Sequence, residues 1–69
     1  MKLDEAIRDG IDSNDPAWLR GVVDFMRFRL GWTAAQCLGA AKKSVPGLTD
    51  EVWEQYMRRL DDYEALTLR

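Results

Sequence analysis

The stretch RGVVDFMRFRLGW, residues 20–32, decides how this chain folds. Its apolar residues recur three and four positions apart, which predicts an α-helix. On a helical wheel at 100° per residue, the apolar side chains between positions 18 and 32 cover an arc of about 220°, whereas a helix on the side of a small bundle needs a stripe only a little over 100° wide. This helix must therefore be covered on two sides.

Capping and turn signals divide the rest of the chain into further helices. Gly10 follows a short periodic segment and predicts that the first helix ends there. Asp15 before Pro16 predicts the start of the second helix, and Thr33 with Gln36 has the spacing of a capping box that begins the third. We expect an all-α fold, a small bundle of three to four helices at about 2–9, 16–30, 34–44 and 50–65.

One long helix over 16–44 is the alternative to a break at Gly31, because the apolar periodicity runs through both segments. The glycine and the capping box that follows it favour the break. The length of 69 residues leaves no room for two domains, so we expect residues 1–69 to form a single helical domain.

Small chains of this kind usually need extra stabilisation. A domain of this size buries only about 60% of the surface that its unfolded chain exposes, and disulfides, metals or partner subunits often compensate. The single cysteine, Cys37, excludes an intrachain disulfide, and without histidine a zinc site lacks ligands. We expect no metal and no cofactor, which leaves oligomerisation or efficient helix packing.

The broad apolar arc is the candidate binding surface. The first predicted helix offers three aliphatic side chains, too few to cover all the aromatic rings of the second. Arg29 lies within the arc, either as an interface residue paired with a partner carboxylate or with its stem on the core and its head in water. We expect a homodimer or binding to another protein, through Trp18, Val22, Phe25, Phe28, Arg29 and Trp32.

Charge is distributed unevenly along the chain. Residues 1–15 carry two basic and five acidic side chains, a net charge of −3. Residues 16–45 carry five basic side chains and one acidic one, a net charge of +4, and residues 46–69 carry three basic and six acidic side chains, a net charge of −3. A basic middle between acidic ends indicates charge complementarity within the chain or antiparallel pairing of two copies; chance placement on a solvated surface is the other interpretation.

Catalysis is not expected. Without histidine, a serine or cysteine nucleophile lacks its usual base, and Cys37 lies on an apolar stripe typical of a buried, inert thiol. The acidic residues at 61–64 point in different directions around a helix and do not converge on one site. We therefore expect a non-enzymatic regulator, adaptor or inhibitor.

DNA binding is the alternative function. Residues 30–33 would form the turn of a helix-turn-helix unit and 34–44 its recognition helix, although few side chains there could contact base edges. The residues that would contact phosphates are Arg20, Arg27, Lys42 and Lys43. The acidic start of the fourth predicted helix would repel phosphates, so protein binding is the preferred hypothesis.

The subcellular location is predicted from the first ten residues and from the length of the apolar runs. Asp4, Glu5 and Asp9 lie within the first ten positions, where a signal peptide would have an apolar core. No uninterrupted apolar run approaches the roughly 18 residues of a membrane span. We expect a cytoplasmic protein that does not bind membranes.

Overall fold

A computed structural model of the protein describes residues 2–67, so positions 1, 68 and 69 of the predicted domain lie outside the described range. Within that range the chain forms helices and turns but no strand, and the predicted all-α bundle is confirmed. The elements are α1 (Leu3–Asp12), α2 (Pro16–Asp24), a short π-helix termed π1 (Phe25–Arg29), α3 (Ala34–Ser44) and α4 (Asp50–Thr67).

Side-chain caps set the starts of three helices where the sequence predicts them. The Asp15 carboxylate accepts a hydrogen bond from the Ala17 amide at 3.0 Å. The Thr33 hydroxyl accepts from the Gln36 amide at 3.2 Å, while the Gln36 side-chain oxygen accepts from the Thr33 amide at 2.8 Å. The Thr49 hydroxyl caps α4 by accepting a hydrogen bond from the Val52 amide at 3.2 Å. Each cap satisfies an N–H group that the helix itself leaves free.

The first helix does not end at Gly10, as the sequence analysis expects, but continues to Asp12. Gly10 is buried, and a Cβ at this position would lie 3.3 Å from side-chain atoms of both Trp18 and Leu19. The glycine therefore allows α1 to approach α2 closely. The left-handed backbone conformation expected beyond the helix falls at Asn14, with φ of 55°.

The predicted helix over 16–30 changes its hydrogen bonding halfway. Its first nine residues are α-helical, and in π1 the Leu30 amide donates to the Phe25 carbonyl at 3.1 Å, five residues back. Gly31 then takes a φ of 70° and ends the segment. A continuous helix over 16–44 is therefore wrong, because a left-handed glycine and the cap at Thr33 separate π1 from α3.

The central element is α2 with π1, in agreement with the broad apolar arc. α1 packs against α2 and α3, α4 packs against α2, and π1 contacts α3. Met26 of π1 is fully buried, with 0% of its surface exposed. The buried hydrophobic core comprises Ile7, Ile11, Leu19, Val22, Val23, Met26, Cys37, Ala41, Trp53 and Leu60.

Candidate protein-binding site

An apolar groove with a volume of about 430 Å³ lies between α1 and α2. Its lining side chains are all nonpolar: Leu3, Ala6, Ala17, Trp18, Gly21, Val22 and Phe25. Ala6, Ala17 and Gly21 have little or no side-chain volume, and this leaves the space between the two helices unfilled. We call this feature the α1–α2 groove. Its volume falls in the range of about 300–1,000 Å³ typical of binding pockets.

Three exposed aromatic rings lie along and beyond the groove. Trp18 is 43% exposed, Phe25 45% and Phe28 78%. Trp18 and Phe25 line the α1–α2 groove, and Phe28 follows three positions after Phe25 in π1. We call these three residues the aromatic face. Single exposed apolar residues are common on protein surfaces, but a cluster of large rings beside an apolar groove is typical of an interaction site.

The broad arc of the second predicted helix divides into a buried half and an exposed half. Leu19, Val22, Val23 and Met26 are buried, whereas the aromatic face and Leu30, at 41%, are exposed. α1 contributes only Leu3 and Ala6 to the groove, so the aromatic rings beside them stay in contact with solvent. These exposures show that the described part of the chain leaves part of the arc uncovered, as its apolar composition predicts.

The six predicted interface residues do not all lie on this surface. Val22 is only 8% exposed and belongs to the core, although it also lines the groove. Trp32 is half-buried and packs against the core, because Gly31 turns the chain before it. Arg29 is exposed, and no salt bridge within residues 2–67 involves it. Val22 and Trp32 are therefore less accessible to a partner than the other four predicted residues.

The π-helical turn is the feature that sequence reasoning missed. An i→i+5 turn holds more residues than an α-helical turn, so side chains after Phe25 are rotated relative to a 100° wheel. On that wheel Arg29 falls inside the apolar arc next to Trp18, and both residues are exposed in the structure. π-bulges often occur at functional sites. Here the bulge carries both Phe28 and Arg29, which places an exposed ring next to a cation.

Two of the four candidate phosphate contacts are paired inside the chain. Arg20 lies 3.3 Å from the Asp24 carboxylate and 2.9 Å from that of Glu64, which joins α2 to α4. Lys42 forms a salt bridge with Asp50 across the α3–α4 turn. Arg27 and Lys43 are exposed, and in the described part of the chain neither takes part in a salt bridge.

The thiol of Cys37 is buried in the core, as the sequence analysis expects. Burial raises its pKa, and the positive charge of Arg27 offsets part of that rise. A thiol held in its protonated form is a poor nucleophile. Across residues 2–67, no group of three or more Cys, Asp or Glu side chains comes together in a way that could hold a metal ion.

None of the helices described between residues 2 and 67 has the length and apolar character needed to cross a membrane. No family model matches the chain, and no curated protein or solved structure shows significant similarity to it. The function is therefore inferred from the α1–α2 groove, the aromatic face and the charges beside them.

Proposed function

We propose that this chain is a non-enzymatic helical protein that acts by binding another protein chain, as a regulator, adaptor or inhibitor. The observation that carries the proposal is the aromatic face, which lies beside an apolar groove of about 430 Å³. Aromatic residues and arginine are enriched at the energetic centres of protein interfaces, where they fill pockets of the partner. Phe25, Phe28 and Arg29 supply both residue types within a single turn.

The shape of the site favours a protein partner. The α1–α2 groove runs between two helices, a geometry that commonly receives an amphipathic helix or a protruding side chain. All its lining side chains are nonpolar, and α1, which forms one wall, also carries exposed carboxylates such as Glu5 and Asp9. An apolar centre with a charged rim is the usual layout of a protein interface.

DNA binding, the alternative function, has less support from the charges. Phosphate contacts require cations that are free to replace counterions. Arg20 and Lys42 already pair with carboxylates of the same chain, and those carboxylates would repel a phosphate backbone. This pairing favours the protein-binding hypothesis over a helix-turn-helix regulator.

The proposal includes a homodimer as the working form and a cytoplasmic location. A chain of 69 residues has a small core, and a second copy would cover apolar surface that the monomer leaves in water. The unpaired thiol of Cys37 suits a reducing compartment.

Site-specific photo-crosslinking tests the proposed function. A photoreactive phenylalanine analogue is placed at Phe25 or Phe28, and at the exposed Ala35 of α3 as the control position. Irradiation of the purified protein and of a lysate from the source organism should give protein adducts at positions 25 and 28 and none at position 35. Equal labelling at all three positions, or no adduct at positions 25 and 28, would overturn the proposal.

A further inference from the structure

We propose that the α1–α2 groove receives Phe28 of a second copy of this chain, in a symmetric dimer where each copy inserts its ring into the other. In the same contact, Arg29 of each copy meets the carboxylates of Glu5 and Asp9 on α1 of the other. This inference rests on the proposed protein-binding function and specifies its partner.

The surface has the self-complementarity that two-fold symmetry requires. In a two-fold interface, residue i of one copy contacts residue j of the other, and j contacts i in return. The chain carries both a cavity and an exposed ring: Phe25 lines the groove, and the 78% exposed Phe28 follows three positions later in the sequence. Rotating a second copy about an axis between them brings each ring to the other's groove.

The two parts of the proposed contact carry opposite charges. π1 has two cations, Arg27 and Arg29, on either side of Phe28 in sequence and no carboxylate. α1 carries four carboxylates within Leu3–Asp12. Its nearby cation Arg8 is turned away from the groove, because its Nε donates to the Ser44 carbonyl at 3.2 Å.

The carboxylates that matter are those beside the groove lining of α1. Asp9 lies one turn after Ala6, which lines the groove, and Glu5 lies one turn before Asp9. Both are exposed. When Phe28 enters the groove of the other copy, Arg29 next to it comes to this acidic rim. Such complementarity sets the orientation of a dimer and excludes like-charged arrangements.

The area that a stable dimer requires is larger than the groove alone. A specific interface of standard size buries about 800 Å² on each partner, about one sixth of the 4821 Å² surface of this chain. The contact must then extend from the groove over the aromatic face to the charged rims. A second copy provides a ring for the groove, a second aromatic face, and cations for the acidic side of α1.

Charge reversal with rescue by mixing tests this arrangement. Arg29→Glu and the double variant Glu5→Lys/Asp9→Lys are each measured by analytical ultracentrifugation over a concentration series. Each should weaken dimerisation about tenfold or more, because both symmetric contacts then join like charges. An equimolar mixture of the two variants should restore wild-type affinity, since both contacts in the mixed dimer again join opposite charges.

Two further variants keep the result interpretable. Arg58 is exposed on α4, away from the proposed contact, and Arg58→Glu changes the net charge by the same amount as Arg29→Glu. This control variant should keep the dimer dissociation constant within about twofold of wild type. Phe28→Ala should weaken the dimer about a hundredfold, because the ring is lost from both symmetric contacts. Circular dichroism shows whether each variant retains its helices.

The outcomes separate this inference from the proposed function. A wild-type chain that stays monomeric while positions 25 and 28 crosslink to a different polypeptide overturns the second-copy inference and leaves protein binding intact. If the wild type dimerises but the equimolar mixture of the two charge-reversal variants does not regain wild-type affinity, the proposed contact between Arg29 of one copy and Glu5 and Asp9 of the other is overturned. A monomer without crosslinks overturns both.

Discussion

Gly10 of α1 lies directly against Leu19 of α2, so that a Cβ at position 10 would be 3.3 Å from the Leu19 Cδ1 atom and 3.4 Å from its Cα. Glycine inside a helix is less favourable than alanine by about 1 kcal/mol. The close approach accounts for its presence, because a side chain here would require the Trp18 and Leu19 side chains to shift. The same two helices form the walls of the α1–α2 groove, so this contact also sets the width of the groove.

Gly10→Leu should therefore destabilise the protein, by about 1–3 kcal/mol, because the added side chain overpacks the α1–α2 contact. Gly21→Ala is the matched control. Nothing lies within 4 Å of a Cβ at Gly21, so this change should stabilise α2 by about 0.5–1 kcal/mol. Urea unfolding gives both values. Equal stability of Gly10→Leu and wild type would mean that the two helices do not meet closely here.

The capping box at the start of α3 gives a second prediction. Thr33→Ala removes the hydroxyl that accepts from the Gln36 amide and should reduce the free energy of unfolding by about 1 kcal/mol. Thr33→Ser keeps the hydroxyl and should stay within a few tenths of a kcal/mol of wild type. If the serine and alanine variants unfold at the same urea concentration, the cap contributes nothing measurable.

Burial of Cys37 predicts how stability depends on pH. Its raised pKa means that the folded state holds the thiol proton more tightly than the unfolded chain does. This contribution to stability is complete below the ordinary thiol pKa of 9.0 and is lost as the pH rises from there through the folded pKa. Between neutral pH and the range above 9.0, wild type should lose more stability than Cys37→Ala.

Urea unfolding of both proteins from neutral pH to above 9.0 checks the prediction. Other groups titrate in this range in both proteins, so their effect cancels when the wild type is compared with Cys37→Ala. The native thiol should also react with a disulfide reagent far more slowly than the thiol of the unfolded chain. Parallel loss of stability in the two proteins would contradict the expected role of burial.

The two halves of the apolar arc should respond differently to truncation. Met26→Ala removes a fully buried side chain and should destabilise the fold by about 2–5 kcal/mol. Phe28→Ala removes a ring that is mostly in solvent, so the monomer should lose no more than about 0.5 kcal/mol. Urea unfolding at low protein concentration, where association is weak, measures both. A loss above 2 kcal/mol for Phe28→Ala would show that the ring is part of the core.

Much of this architecture could be predicted because its signals are local. Asp15, Thr33 and Thr49 cap helices through side chains that reach only two or three residues along the chain. The exposed half of the arc could also be predicted, since the number of apolar side chains on one helix exceeded what the other helices can cover. That comparison needs only composition and helical periodicity.

The features that could not be predicted depend on tertiary contacts. Gly10 has the sequence signature of a helix end, and only its approach to α2 explains why the helix continues. The π-helical turn has no comparable local signature, so a wheel at 100° per residue does not describe the side-chain directions after Phe25. The pairing of Arg20 with Glu64 joins residues far apart in sequence, so the sequence alone could not show that this candidate phosphate contact has a carboxylate partner.

These pairings predict weak interaction with DNA. Arg27 and Lys43 are the two candidate phosphate contacts without a salt bridge in the described residues, so a monomer should show a slope of about −2 in a plot of log affinity against log salt. Fluorescence anisotropy with a labelled duplex at several salt concentrations measures this slope. The triple variant Asp24→Asn/Asp50→Asn/Glu64→Gln removes the carboxylates that pair with Arg20 and Lys42, and should bind the duplex more tightly than wild type at low salt. Tight binding by wild type with a steep slope would instead favour the DNA-binding alternative, because the carboxylate pairs would then be giving way to phosphates.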